Sequence, residues 1–132
     1  MRDWWGRYVG IPFLDGGRDR AGCDCWGLVR LVYADMLGVD LPVYGETSAH
    51  DLLRVARAMS SAAEEMWEKC DPAALAVVGM RSGSGGRFVC HVGVMVDAER
   101  VLHVERKANA SVVSSRHFSV AGRIVGYWRM RQ

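Results

Sequence analysis

Two periodicities divide this chain, and together they restrict what it can fold into. From Cys25 the apolar positions Leu28, Val29, Val32 and Met36 follow at steps of three and four, one face of a helix. From His91 the pattern becomes alternation: His91-Val92-Gly93-Val94-Met95-Val96, a turn, then Val101-Leu102-His103-Val104-Glu105. Helices first and strands later predict an α+β fold. The 132 residues suit one domain over 1–132 with a real core, and no repeat or linker interrupts them.

The first long helix is expected over about 24–37. Asp24 is its N-cap, because a carboxylate there accepts from the orphan N–H groups of the first turn. Gly38 is its C-cap, with Pro42 just beyond. Gly27 inside the first turn costs about 1 kcal/mol relative to alanine, so something, backbone or substrate, is expected to come close there. Before this helix, a short helix around 3–9 and an exposed Gly-rich loop over 15–22 lead to the cysteine. After it, Ser48 opens a second helix with Leu52, Val55, Met59, Ala62 and Met66 at helical spacing; Trp67 packs in the core and Pro72 stops the helix. Strands are expected at 75–78, 110–114 and 123–130.

The register of the histidine hairpin can be derived. A three-residue loop, Asp97-Ala98-Glu99, sets Val96 opposite Arg100, Leu102 opposite Val94 and Val104 opposite Val92. One face is then wholly apolar, and the other carries His91, Gly93, Met95, Val101, His103 and Glu105. Loops of two or four residues mix the faces, so the hydrophobic pattern selects three. His103 then stands opposite Gly93 and diagonal to His91. Diagonal neighbours are about 7–8 Å apart at the backbone, within reach of two imidazoles, and Gly93 leaves the space between them clear. His50 and His117 have no such context and are expected at the surface.

Charge and hydropathy exclude several function classes. A net charge of +2 supports neither a dedicated nucleic-acid binder nor a polybasic membrane anchor. The longest uncharged apolar run is too short to insert in a bilayer, and the N-terminus has no apolar signal-peptide core, so synthesis in the cytoplasm is expected. The cysteines at 23, 25, 70 and 90 are then expected as free thiols. Arg116, Arg123, Arg129 and Arg131 are expected on a solvated face.

Cys25 falls in the first turn of the predicted helix, where the dipole favours thiolate over thiol. A buried, inert cysteine fits the same position. The histidine pair adds a base: a cysteine at a helix N-terminus and a histidine on a sheet make a papain-type arrangement. His91 would accept the thiol proton, and His103 would fix its tautomer. Zinc held by Cys23, Cys25, Cys90 and His91 has suitable donors. However, Cys-x-Cys is not the common Cys-x2-Cys, and Cys90 and His91 point to opposite strand faces. No metal and no cofactor is therefore expected.

The order Tyr8-Val9-Gly10-Ile11-Pro12-Phe13, Gly16-Gly17, Asp24-Cys25-Trp26-Gly27-Leu28-Val29, His91-Val92-Gly93-Val94 and His103 resembles the NlpC-type cell-wall peptidases. These are papain-like cysteine peptidases cutting peptidoglycan stem peptides, typically at the γ-D-glutamyl–diamino acid bond. Asp-Cys-Trp-Gly with Leu41-Pro42-x-Tyr44 is similar to the branch found in phage tails and prophage-like clusters. The resemblance implies N-terminal helices with the nucleophile helix packed on an antiparallel sheet. It implies Cys25 as nucleophile, His91 as base and His103 as orienting residue, with Asp24, Trp26 and Phe13 near the substrate. The expected partners are the peptidoglycan peptide and phage tail proteins, and the expected place of action is a virion tail at the host wall. The alternative is a weak or inactive tail-assembly or wall-binding module on the same fold. Phe13 motivates it, standing where the family often has a tyrosine hydroxyl; Tyr8 is too early in the motif to be an assured substitute. Trp26 either lines the cleft or packs.

Overall fold

A computed structural model describes residues 4–41, 67–81 and 89–131, the side chains of 89 and 90 excepted. The second helix expected from Ser48 to Met66 lies outside the described residues. A 3-10 turn, Trp4–Arg7, replaces the short helix expected around 3–9. Two short strands follow, β1 (Arg18–Asp19) and β2 (Gly22–Cys23), paired antiparallel, so the Gly-rich loop is a small hairpin. Helix α1 runs Cys25–Leu37 between the two expected caps: the Asp24 side chain accepts from Gly27 N, and Gly38 adopts φ 65°.

The remaining strands are β3 (Trp67–Lys69), β4 (Val77–Arg81), β5 (Val89–Met95), β6 (Arg100–His103), β7 (Ser111–Ser114) and β8 (Ile124–Met130). They form one sheet in the order β3-β8-β4-β5-β6-β7, with every neighbouring pair antiparallel. The last strand is therefore threaded between β3 and β4. Trp67 is buried as expected, but it begins a strand instead of ending a helix. β4 starts two residues later than its apolar run, after a turn in which Leu75 takes φ 70°.

The hairpin register agrees with the sequence: Val94 pairs with Leu102, Met95 with Val101, and Val96 N donates to Arg100 O at 3.0 Å. The two faces separate as the alternation requires. Val77, Val92, Val94, Val96, Leu102, Val104 and Trp128 share one apolar cluster with Leu28, Val29, Val32 and Tyr33 of α1. Val78, Met80, Met95, Val101 and Val120 form a second cluster. Leu28, Val29 and Val32 are fully buried, each contributing about 1.5–3 kcal/mol relative to exposure. This docking fixes the helix that carries Cys25. Among the described residues no helix is long and apolar enough to cross a membrane.

Candidate active site

The start of α1 is built by one carboxylate. Asp24 Oδ1 accepts from Gly27 N and from Arg18 Nη1, both at 2.7 Å, and Oδ2 accepts from Gly16 N at 3.2 Å. The same Arg18 Nη1 donates to Gly17 O at 2.9 Å, and Asp24 N donates to Gly17 O at 3.2 Å. Asp24 is thus buried, and its carboxylate cinches the loop to the helix. The close neighbour of Gly27 is backbone, not substrate: a Cβ there would run into Gly17 O.

Hydrogen bonds place the cysteine relative to the sheet. Cys23 N donates to Pro12 O at 3.1 Å, and Leu14 N to Cys23 O at 3.1 Å. Residues 10–13 are stitched in turn to 108–110: Gly10 N to Ala110 O at 2.8 Å, Ala110 N to Ile11 O at 2.7 Å, and Phe13 N to Ala108 O at 3.2 Å. Ala110 leads directly into Ser111, the partner of His103 in the β6–β7 ladder. The segment carrying Asp24-Cys25 is therefore anchored at the sheet end that holds His103.

His91 and His103 meet as the register predicts. His91 Nε2 lies 3.0 Å from His103 Nδ1, with ring centroids 5.2 Å apart. A bulge precedes His91, because Met80 pairs with His91 while Arg81 pairs with Val89 and skips Cys90. Bulges re-aim the next side chain and often flank functional sites. The expectation that Cys90 points to the strand face opposite His91 concerns a side chain outside the described residues. Gly93 clears the site as expected: a Cβ there would stand 2.9 Å from Leu102 O and 3.0 Å from His103 Cβ. Gly93→Ala should therefore push β6 away, costing about 1–3 kcal/mol and shifting the His103 ring resonances. A thermal melt and a histidine NMR spectrum check both effects; unchanged resonances would refute the contact.

Two further groups belong to the pair. Glu105 Oε1 lies 3.6 Å from His91 Nε2, and Arg123 Nη1 lies 2.6 Å from that same oxygen. Arg123 also donates to Arg81 O at 2.9 Å and to Ser119 O at 3.1 Å. This corrects the solvated-face reading. The Arg123 side chain is 20% exposed and locked in place, whereas Arg129 is 63% exposed and pairs with Glu68. No sequence signal marked Arg123, which arrives from a 3-10 turn (Ala121–Arg123) after the sheet's edge strand. Burial, then the neighbouring His103 and Arg123, hold His91 well below the ordinary histidine range. Burial also lowers His103, with Glu105 opposing it. Both rings are therefore neutral at pH 7.

The other expected residues divide. Trp26 is fully buried in the cluster under α1, so of its two roles packing is the one seen. Phe13 is half-buried against that cluster, with the Arg106 guanidinium 5.6 Å from its ring centre. The Tyr8 hydroxyl donates to Asp35 Oδ2 at 2.8 Å. Asp35 lies ten residues along α1 from Cys25, about 15 Å at 1.5 Å per residue. Tyr8 therefore does not stand in for the hydroxyl that Phe13 lacks. Cys23, Cys25 and Cys70 form no disulfide. Burial, with Asp24 beside it, pushes the Cys23 thiol up to about 12. Among the described residues, the group close enough to hold an ion is His91, His103 and Glu105, not the cysteines. A groove of about 810 Å³ lies at the far end of α1, between Tyr33, Leu37, Cys70, Leu75 and Met130, and is lined by none of Cys25, His91, His103 and Glu105.

A capped helix laid on an antiparallel sheet in this way is an α+β domain of the kind seen in NlpC/P60 domain structures. Residues 10–129 match the NlpC/P60 family, and the chain belongs to it. The fold is similar to that of an NLP/P60 protein from Staphylococcus aureus described as similar to lipoprotein: TM-score 0.67, 23% identity, 96% of this chain and 38% of that one. It is also similar to the NlpC/p60 domain of the peptidoglycan hydrolase SagA: TM-score 0.59, 21% identity, 96% of this chain and 92% of that one. The chain thus spans well under half of the staphylococcal protein. No curated protein sequence matches it.

Proposed function

We propose that this domain is a cysteine endopeptidase of the bacterial cell wall. It hydrolyses peptidoglycan stem peptides at the γ-D-glutamyl–diamino acid bond and acts from a phage-type tail at the host wall. Family membership supports the chemistry, and the SagA likeness supports the substrate class. The observation that carries the reading is the 3.0 Å His91–His103 contact at the sheet end to which the Asp24-Cys25 helix start is tied.

Nε2 of His91 is engaged with His103 Nδ1, so Nδ1 is the atom that serves the thiol. His91 Nδ1 takes the thiol proton as Cys25 Sγ attacks the scissile carbonyl carbon, and the sulfur–carbon bond forms. The tetrahedral intermediate collapses, the carbon–nitrogen bond breaks, and His91 returns the proton to the leaving amine. Water, deprotonated by the same nitrogen, then cleaves the thioester. N–H groups at the start of α1 face the developing oxyanion. His103 keeps the ring in the tautomer this sequence needs.

The test is digestion of purified muropeptides, with products identified by mass spectrometry. Release of the fragment beginning at the diamino acid is expected. Intact muropeptides after prolonged incubation with folded protein would overturn the assignment. They would favour the second reading, a wall-binding or tail-assembly module, to which Phe13 points by supplying no hydroxyl.

A further inference from the structure

The groups around His91 have the composition and spacing of a transition-metal site. His91 Nε2 and His103 Nδ1 are 3.0 Å apart, and Glu105 Oε1 is 3.6 Å from His91 Nε2. One donor atom from each residue falls within 4.8 Å of the other two. Ligands at about 2.0–2.1 Å from a tetrahedral ion stand about 3.3 Å from one another. The two shortest separations bracket that value, so small ring movements suffice. Two imidazoles and a carboxylate suit zinc and leave a fourth position open. Both rings are buried, and a neutral imidazole has a nitrogen lone pair free to ligate.

We propose that His91, His103 and Glu105 form a zinc-binding site, and that zinc bound there switches the domain off. The inhibitory consequence rests on the peptidase reading above; the binding does not. A neutral His91 carries one N–H. While Nε2 donates to His103 Nδ1, His91 Nδ1 holds the lone pair that receives the Cys25 proton. Zinc on Nε2 takes the lone pair at that atom, so through solvent the ring's proton moves to Nδ1. His103 ligates through Nδ1 and keeps its proton on Nε2, so the neutral rings release no proton. A His91 that ligates zinc is thus locked in the tautomer that cannot accept the thiol proton.

Arg123 sets the affinity. Its 2.6 Å pair with Glu105 competes for the carboxylate, and its charge opposes a dication beside it. The Arg81 and Ser119 carbonyls hold it there. Removing the charge should tighten zinc binding, the opposite of what loss of a structural ion pair would do.

The test is a zinc titration of the full chain carrying Cys25→Ser, followed by nitrogen-15 NMR of the imidazole rings. One equivalent should move both rings and transfer the His91 proton from Nε2 to Nδ1. Glu105→Gln should weaken binding by about tenfold or more, and Arg123→Gln should strengthen it by about tenfold. Arg123→Lys, which keeps the charge, should leave it near the starting value. Rings unmoved at millimolar zinc, or equal affinities in all variants, would overturn the site. In the wild type, zinc at its dissociation constant should halve muropeptide hydrolysis and a chelator should restore it. Absence of hydrolysis without zinc counts against the peptidase and leaves the titration to judge the site. Zinc binding without loss of hydrolysis overturns the switch.

Discussion

Replacing Cys25 by alanine should abolish the proposed stem-peptide hydrolysis, with kcat/KM falling by about 10⁴-fold or more, because no covalent route to the thioester would remain. The fold survives: one small buried side chain replaces another on a helix held by Leu28, Val29 and Val32. Circular dichroism should be superimposable on the wild type. Alkylation gives a second measurement on the same residue. Iodoacetamide near neutral pH should label Cys25 in preference to Cys23, whose thiol is pushed up to about 12 by burial and by Asp24. Cys70 is also raised by burial. Peptide mapping of the labelled protein gives the order directly. Hydrolysis retained in a pure Cys25→Ala preparation, or labelling of Cys23 ahead of Cys25, would remove Cys25 from the mechanism. Alkylated Cys25 should also perturb the His91 ring, a readout that a cysteine merely buried in the core would not move.

What could be read from residue order was whatever depends on neighbours in the chain. The hairpin is the clearest case. Only a three-residue loop gathers Val92, Val94, Val96, Leu102 and Val104 on one face, and the Val94–Leu102 pairing follows from that. The His91–His103 contact is a consequence of the same register. Helix α1 was equally legible, because Asp24 and Gly38 are local signals that act on the adjacent turn.

What could not be read depends on partners far along the chain. Trp67–Lys69 is a strand because Glu68 pairs with Arg129 on β8, and three residues have no period of their own. Its apolar tryptophan continued the helical spacing from Ser48, so the sequence pointed to a helix end. The placement of β8 between β3 and β4 has no local signature either. Arg123 is the counterpart at the candidate site. An arginine near the chain end reads as solvated until the fold sets Glu105 against it. Trp26 was ambiguous for a related reason: a large residue after the cysteine could face cleft or core, and its burial followed only from how α1 sits on the sheet.

Gly27→Ala should destabilise the domain, although helix propensity alone argues for the reverse. Glycine in a helix interior costs about 1 kcal/mol relative to alanine, so an unobstructed exchange should stabilise by about that much. Here the added methyl would overlap Gly17 O and stand 3.1 Å from Asp24 Oδ1 and 3.3 Å from Arg18 Nη1. Gly17 has little room to retreat. A Cβ on Gly17 would itself run into Gly22 O and Cys23 Cα, and the Gly17 carbonyl accepts from both Asp24 N and Arg18 Nη1. The strain therefore falls on the cap and on the Arg18–Asp24 pair. An N-cap contributes about 0.5–2 kcal/mol, and overpacking typically costs about 1–3 kcal/mol. Against the propensity gain, a net loss of about 2–3 kcal/mol is expected, or about 6–12 °C in melting temperature for a domain of this size. Gly6→Ala is the control, since a Cβ there meets nothing within 4 Å; its melting temperature should stay within a degree or two. A Gly27→Ala protein melting above wild type would show that loop and helix start are not interlocked. If they are, hydrolysis falls together with the melting temperature, because the clash moves the turn that carries Cys25.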